Sequence, residues 1–95
     1  MTDDVVRATP LVDLLELDDG AVVLLESGAR SRVLKVSAIA RTILALTQAG
    51  ATLRSIGVEL SARFGAPGDQ TVDEAVGALV AELARQGLVE IDHGE

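Results

Sequence analysis

The chain holds few side chains capable of covalent or acid–base chemistry. It has no Cys, Trp or Tyr, and its one His, His93, lies near the C-terminus. His93 and Asp92 are a weak metal pair, because a chain end lacks the fixed geometry a site requires. The adjacent carboxylates Asp18-Asp19 and Asp73-Glu74 each have a local task, turn formation in one case and helix capping in the other. Ser27, Ser31, Ser37, Ser55 and Ser61 have no His in the body of the chain to act as base, and no G-x-S-x-G elbow surrounds any of them. Gly57, Gly65, Gly68 and Gly77 fit neither G-x-x-x-x-G-K-[ST] nor G-x-G-x-x-G, so no phosphate loop is present. The expectation is a protein that holds something rather than converts it, with no catalytic residue, metal or cofactor.

Composition narrows the class. Ninety-five residues at 48% apolar content suit one domain over residues 1–95, of a size that buries a little over ~60% of its unfolded surface. Phe64 is the sole aromatic residue, so the core must be built from Leu, Val, Ile and Ala. The lack of Cys excludes disulfides and thiolate metal sites and suits a reducing cytoplasm. No apolar run approaches the ~18 residues of a membrane span. The start Met1-Thr2-Asp3-Asp4 is acidic where a secretory signal is basic. A cytoplasmic protein without membrane attachment is expected. The net charge of −7 opposes general nucleic-acid binding. Its distribution is uneven: Ser27 to Val58 contains no Asp or Glu but includes Arg30, Arg32, Lys35, Arg41 and Arg54, a locally basic stretch on an acidic chain.

Several elements must position these charges. Asp18-Asp19-Gly20 between two aliphatic runs marks a hairpin. With Asp19 and Gly20 as the turn, Leu17 faces Val22 and Leu15 faces Leu24, on the side expected to rest on the helices. Ser27-Gly28-Ala29 is a second turn, and Arg30 to Lys35 a third, more polar strand. Ser37, Thr52 and Thr71 are N-caps for three helices, the last with the capping-box partner Glu74. The apolar stripes are Ile39, Ala40, Ile43, Leu44 and Leu46, then Leu53, Ile56, Leu60 and Phe64, then Val72, Val76, Leu79, Val80 and Leu83. Gly50, Gly65 and Gly87 close them, and Leu88 to Ile91 returns as an extended tail. Residues 1–9 and 93–95 are expected to be flexible. The predicted fold is α+β and winged helix-turn-helix-like, a three-stranded antiparallel sheet followed by three helices; the fallback is a three-helix bundle with a disordered N-terminal arm.

Two binding surfaces follow. A winged-helix reader of DNA would use the third helix, yet Val72 to Gln86 carries Asp73, Glu74 and Glu82 against Arg85 alone, which opposes a phosphate-lined groove. The other surface is the third strand, whose free edge could accept an extended peptide beside the third helix. Gly77, Ala78, Ala81 and Ala84 would keep such a groove open, and Gly77, costly in mid-helix, implies close approach by something. An unoccupied edge could also pair with its own copy to make a homodimer.

The stretch Val33-Leu34-Lys35-Val36-Ser37-Ala38 with Ile39 and Ile43, then Gly50-Ala51-Thr52, Ile56, Phe64-Gly65, Val72-Asp73-Glu74-Ala75-Val76, Leu79, Leu83 and Gly87-Leu88-Val89, resembles the PqqD-like family of precursor-peptide chaperones, or RiPP recognition elements. The resemblance runs from about Ala21 to Ile91 and rests on apolar spacings and caps. It implies a fold whose third strand and third helix clamp the leader segment of a ribosomally synthesised precursor peptide. The leader would be passed to a tailoring enzyme such as a radical SAM protein, a cyclodehydratase or a leader peptidase. The implied site is Arg30, Ser31, Arg32, Val33, Leu34 and Lys35 on the strand, with Asp73, Val76, Gly77, Val80, Ala81 and Ala84 on the helix. Lys35-Val36 stands where the family commonly has Asn-Pro, and Arg30, Ser31 and Arg32 replace aromatic residues often found there. A basic strand would suit an acidic leader; the rival function is a winged-helix regulator acting on DNA or on another protein.

Overall fold

In a computed structural model describing residues 4–92, each helix begins at the hydroxyl side chain that the sequence marks for it. Ser37 accepts from the Ala40 amide ahead of α1 (Ala38–Leu46), and Thr52 from the Ser55 amide ahead of α2 (Leu53–Phe64). Thr71 and Glu74 form the full capping box of α3 (Val72–Arg85), each satisfying an amide the helix leaves without an internal partner. These contacts, the Thr71 backbone amide first and its hydroxyl second, hold the Glu74 carboxyl below its ordinary pKa. Helix α2 ends at Gly65, whose φ of +84° is open to glycine at little cost.

The remaining elements are strands: β1 (Val5–Ala8), β2 (Asp13–Leu17), β3 (Gly20–Ser27), β4 (Arg30–Ser37), β5 (Ala51–Thr52) and β6 (Val89–Asp92). They form two antiparallel three-stranded sheets, β2-β3-β4 and β5-β1-β6, where one sheet was predicted. The fold is α+β, with three helices among the described residues. The second sheet arises from a segment expected to be flexible. Val6 is fully buried, and β1 pairs with β6 from Val5↔Asp92 to Ala8↔Val89. Backbone bonds from the Ala8 amide to the Thr47 carbonyl and from the Thr9 amide to the Leu88 carbonyl, both 2.9 Å, extend the attachment. A four-residue strand is too short for its periodicity to stand out. His93 lies outside the described residues.

The hairpin forms with its turn one residue earlier than predicted. Leu17 pairs with Gly20 and Leu15 with Val22, leaving Asp18-Asp19 as the turn. The face is also reversed. Ala21, Val23 and Leu25 are buried against the helices, whereas Leu15 is 64% exposed on the other side. Arg41 of α1 holds the hairpin in place by donating to the carbonyls of Leu17 (2.9 Å) and Gly20 (3.0 Å).

One cluster of buried aliphatic side chains joins both sheets and all three helices, including Val6, Val23, Ile43, Ile56, Val80 and Leu88. Gly57 lets α2 and α3 meet closely, since a Cβ there would lie 2.9 Å from Val72 Cγ1. Among the described residues no helix is long and apolar enough to cross a membrane.

Two outcomes check this architecture. Val6→Ala should lower unfolding free energy in urea by about 1–3 kcal/mol, and removal of residues 1–8 by more; an unchanged midpoint after removal would show that β1 contributes nothing. For Glu74, the depressed folded-state pKa gives stability that is present above the unfolded value, about 4.3, and lost as pH falls through the folded one. Acid titration of stability should therefore lose this component in Glu74→Gln.

Candidate functional site

Strand β4 forms one edge of its sheet: β3 pairs with it along its whole length, from Gly20↔Ser37 to Ser27↔Arg30, and no described strand lies on its other side. Half of its backbone N–H and C=O groups therefore point away from the sheet, as on any antiparallel edge. The C-terminal strand β6 is paired with β1 in the other sheet.

Pairing fixes which side chains of β4 face the helices. Val36 lies opposite Ala21, Leu34 opposite Val23 and Arg32 opposite Leu25, and these partners on β3 are buried. Arg30, Arg32, Leu34 and Val36 thus line the helix-facing side, while Ser31, Val33 and Lys35 line the outer one. Arg32 reaches α3, its Nη1 donating to the Gln86 carbonyl at 2.9 Å. Arg30 is exposed and engages no described residue by hydrogen bond or ion pair. Lys35 lies 3.7 Å from Asp19, with both side chains well exposed, a pair of small energetic weight. Val33, 68% exposed, stands on the outer face.

A cleft of about 180 Å³ lies beside the C-terminal half of β4. Its walls are Lys35, Val36 and Ser37 of the strand, Ala40 and Ile43 of α1, and Leu79, Glu82 and Leu83 of α3 with its C-cap Gln86. Gln86 Nε2 donates to Glu82 at 3.0 Å, and Arg85 forms an ion pair with the same carboxylate. Leu79 also borders a second, apolar groove of about 240 Å³, lined by Ile39, Leu60, Phe64, Val72 and Ala75 among others. The two grooves adjoin along one side of α3.

The helix residues expected at the site are not brought to this cleft. At about 100° per residue, Asp73, Gly77, Ala81 and Ala84 project from the side of α3 opposite Leu79, Glu82 and Gln86. Val76 and Val80 are buried in the core. Nothing packs closely on Gly77, since a Cβ there would meet no atom within 4 Å. Its small size is not required by any contact within the chain. The residues that sequence reasoning missed, Leu79, Glu82, Leu83 and Gln86, carry one readable signal. Leu79 and Leu83 belong to the apolar stripe of α3, and the polar residues bordering that stripe mark where a helix leaves the core.

A family model described as coenzyme PQQ synthesis protein D (PqqD) matches residues 14–89. The match takes in both walls of the cleft and leaves out β1. No curated protein and no solved structure matched the chain.

Because Gly77 sits mid-helix with open space around it, Gly77→Ala should raise stability by up to about 1 kcal/mol, read as a higher urea midpoint. A destabilised variant would reveal a close contact at that position.

Proposed function

Because the chain belongs to the PqqD family, we propose that it binds the leader segment of a ribosomally synthesised precursor peptide by β-strand addition and presents it to a separate modifying enzyme or peptidase. The observation that carries this reading is the unpaired edge of β4 beside a cleft walled by α3. A guest strand laid along that edge would satisfy its outward-facing amides and carbonyls, and alternate side chains of the guest would turn toward α3. Affinity then comes from main-chain hydrogen bonds and selection from the cleft.

In this reading the protein is not an enzyme. It is an adaptor of the cytoplasm, and a radical SAM protein, a cyclodehydratase or a leader peptidase does the chemistry. Helices α2 and α3 with the β2-β3-β4 sheet serve as a winged helix-turn-helix-like frame turned to peptide rather than DNA. The strand residues Arg30, Ser31, Arg32, Val33, Leu34 and Lys35 remain the proposed site, joined on α3 by Leu79, Glu82, Leu83 and Gln86.

The charge on α3 supports peptide over DNA as ligand. Asp73, Glu74 and Glu82 outnumber Arg85, and Arg85 is already paired with Glu82. A duplex would therefore meet uncompensated carboxylates where it needs cations. A second copy of the chain is the competing occupant of the same edge.

Amide hydrogen exchange on the protein with and without its precursor peptide tests the proposal. Added peptide should slow exchange along Ser31 to Lys35 and leave β6 unaffected; protection confined to other elements would end it. In parallel, a gel shift at low salt should show no retardation of duplex DNA. Retardation that weakens steeply with salt would favour the regulator instead.

A further inference from the structure

We infer that β4 reads its guest by polarity along the strand, preferring a segment whose helix-facing side chains are apolar in its N-terminal half and acidic in its C-terminal half. This inference rests on the strand-addition reading above. The helix-facing side of β4 runs from two arginines, Arg30 and Arg32, to two aliphatic residues, Leu34 and Val36. A guest added antiparallel, as every other pairing in this sheet is, begins beside Val36 and ends beside Arg30. Its side chains alternate with the same period as those of β4. The matching pattern is therefore two apolar residues followed by two acidic ones, each separated by one position facing away.

Each end of the strand has the chemistry this pattern needs. Arg30 has no partner among the described residues. Arg32 spends one N–H on the Gln86 carbonyl, and a guanidinium carries five, so others remain for a carboxylate. At the opposite end Val36 borders the cleft with Leu79, and Leu79 opens onto the neighbouring apolar groove. Glu82 on the rim there is already ion-paired with Arg85, so the direction of the guest is set by the arginines at one end and the apolar surface at the other. Main-chain bonds are nearly indifferent to sequence, so discrimination falls to these side chains. An exposed ion pair contributes roughly a two- to fivefold change in affinity.

The test uses fluorescence anisotropy with three short fluorescein-labelled synthetic peptides. One has two leucines and then two glutamates at alternate positions with serines between them. The second has the same residues in reverse order, and the third has glutamine in place of glutamate. The first should bind tightest, with each of the others weaker by about tenfold. Arg30→Ala should weaken the first peptide about two- to fivefold and leave the glutamine peptide unchanged. Its thermal melt should match the parent, because the Arg30 side chain is exposed and makes no hydrogen bond or ion pair among the described residues. Equal binding of all three peptides, or a preference for the reversed one, overturns the polarity while strand addition stands. Failure of every peptide to bind or to protect β4 from hydrogen exchange brings down both.

Discussion

The pairing of β1 with β6 commits residues 5–8 and 89–92 to a second sheet, separate from the one that β4 borders. The tail after α3 is extended and rich in β-branched residues, and β4 has one edge without a partner among the described strands. Left alone, two such edges tend to join. Strand β1 pairs with the tail along its whole length, from Val5↔Asp92 to Ala8↔Val89, with Val6 and Val89 buried beneath, and so anchors it in the second sheet. Arg7 reinforces the arrangement from outside, lying 3.4 Å from Asp92 and donating to the Ala49 carbonyl.

Much of the fold was legible because its signals are local. A hydroxyl at an N-cap acts within three residues, and all three caps stand where Ser37, Thr52 and Thr71 mark them. The face of the hairpin was not legible. Ala21 to Leu25 is apolar at every position, so period-two alternation offers no basis for choosing its buried side. The choice is made by α1, through the Arg41 contacts to the hairpin carbonyls and the packing of Val23 into the core. The second sheet was likewise invisible, because β1 finds its partners about forty-five and eighty-five residues away, a distance over which local propensity is silent.

The candidate site divides along the same line. From sequence alone the site falls on a polar, basic segment after a turn, of which Lys35 lines the cleft. On α3 small residues suggest room for a guest, whereas the boundary of the cleft follows the edge of the apolar stripe. A Cβ at Gly77 would meet no atom within 4 Å, Ala81 is exposed, and Ala84 packs half-buried against the core. Alanine favours helix formation in any case, and that accounts for Ala81 and Ala84 without a ligand. Nothing in the structure explains Gly77.

The acidity of the whole chain and the basicity of β4 serve one end. At physiological salt, charges separated by more than about 8 Å are largely screened. Asp73 and Glu74 lie roughly 20 Å along α3 from Gln86, at 1.5 Å rise per residue, so a guest beside Arg30 and Arg32 feels the arginines first. A second copy of this chain meets the opposite situation. Edge-to-edge pairing of two β4 strands sets arginine against aliphatic residues or against another arginine, never against a carboxylate, because β4 contains none. Like charges facing each other across a strand pair are destabilising, and a buried unpaired guanidinium more so. The charge pattern proposed to suit an acidic guest strand therefore also disfavours self-pairing in the registers that set arginine against arginine.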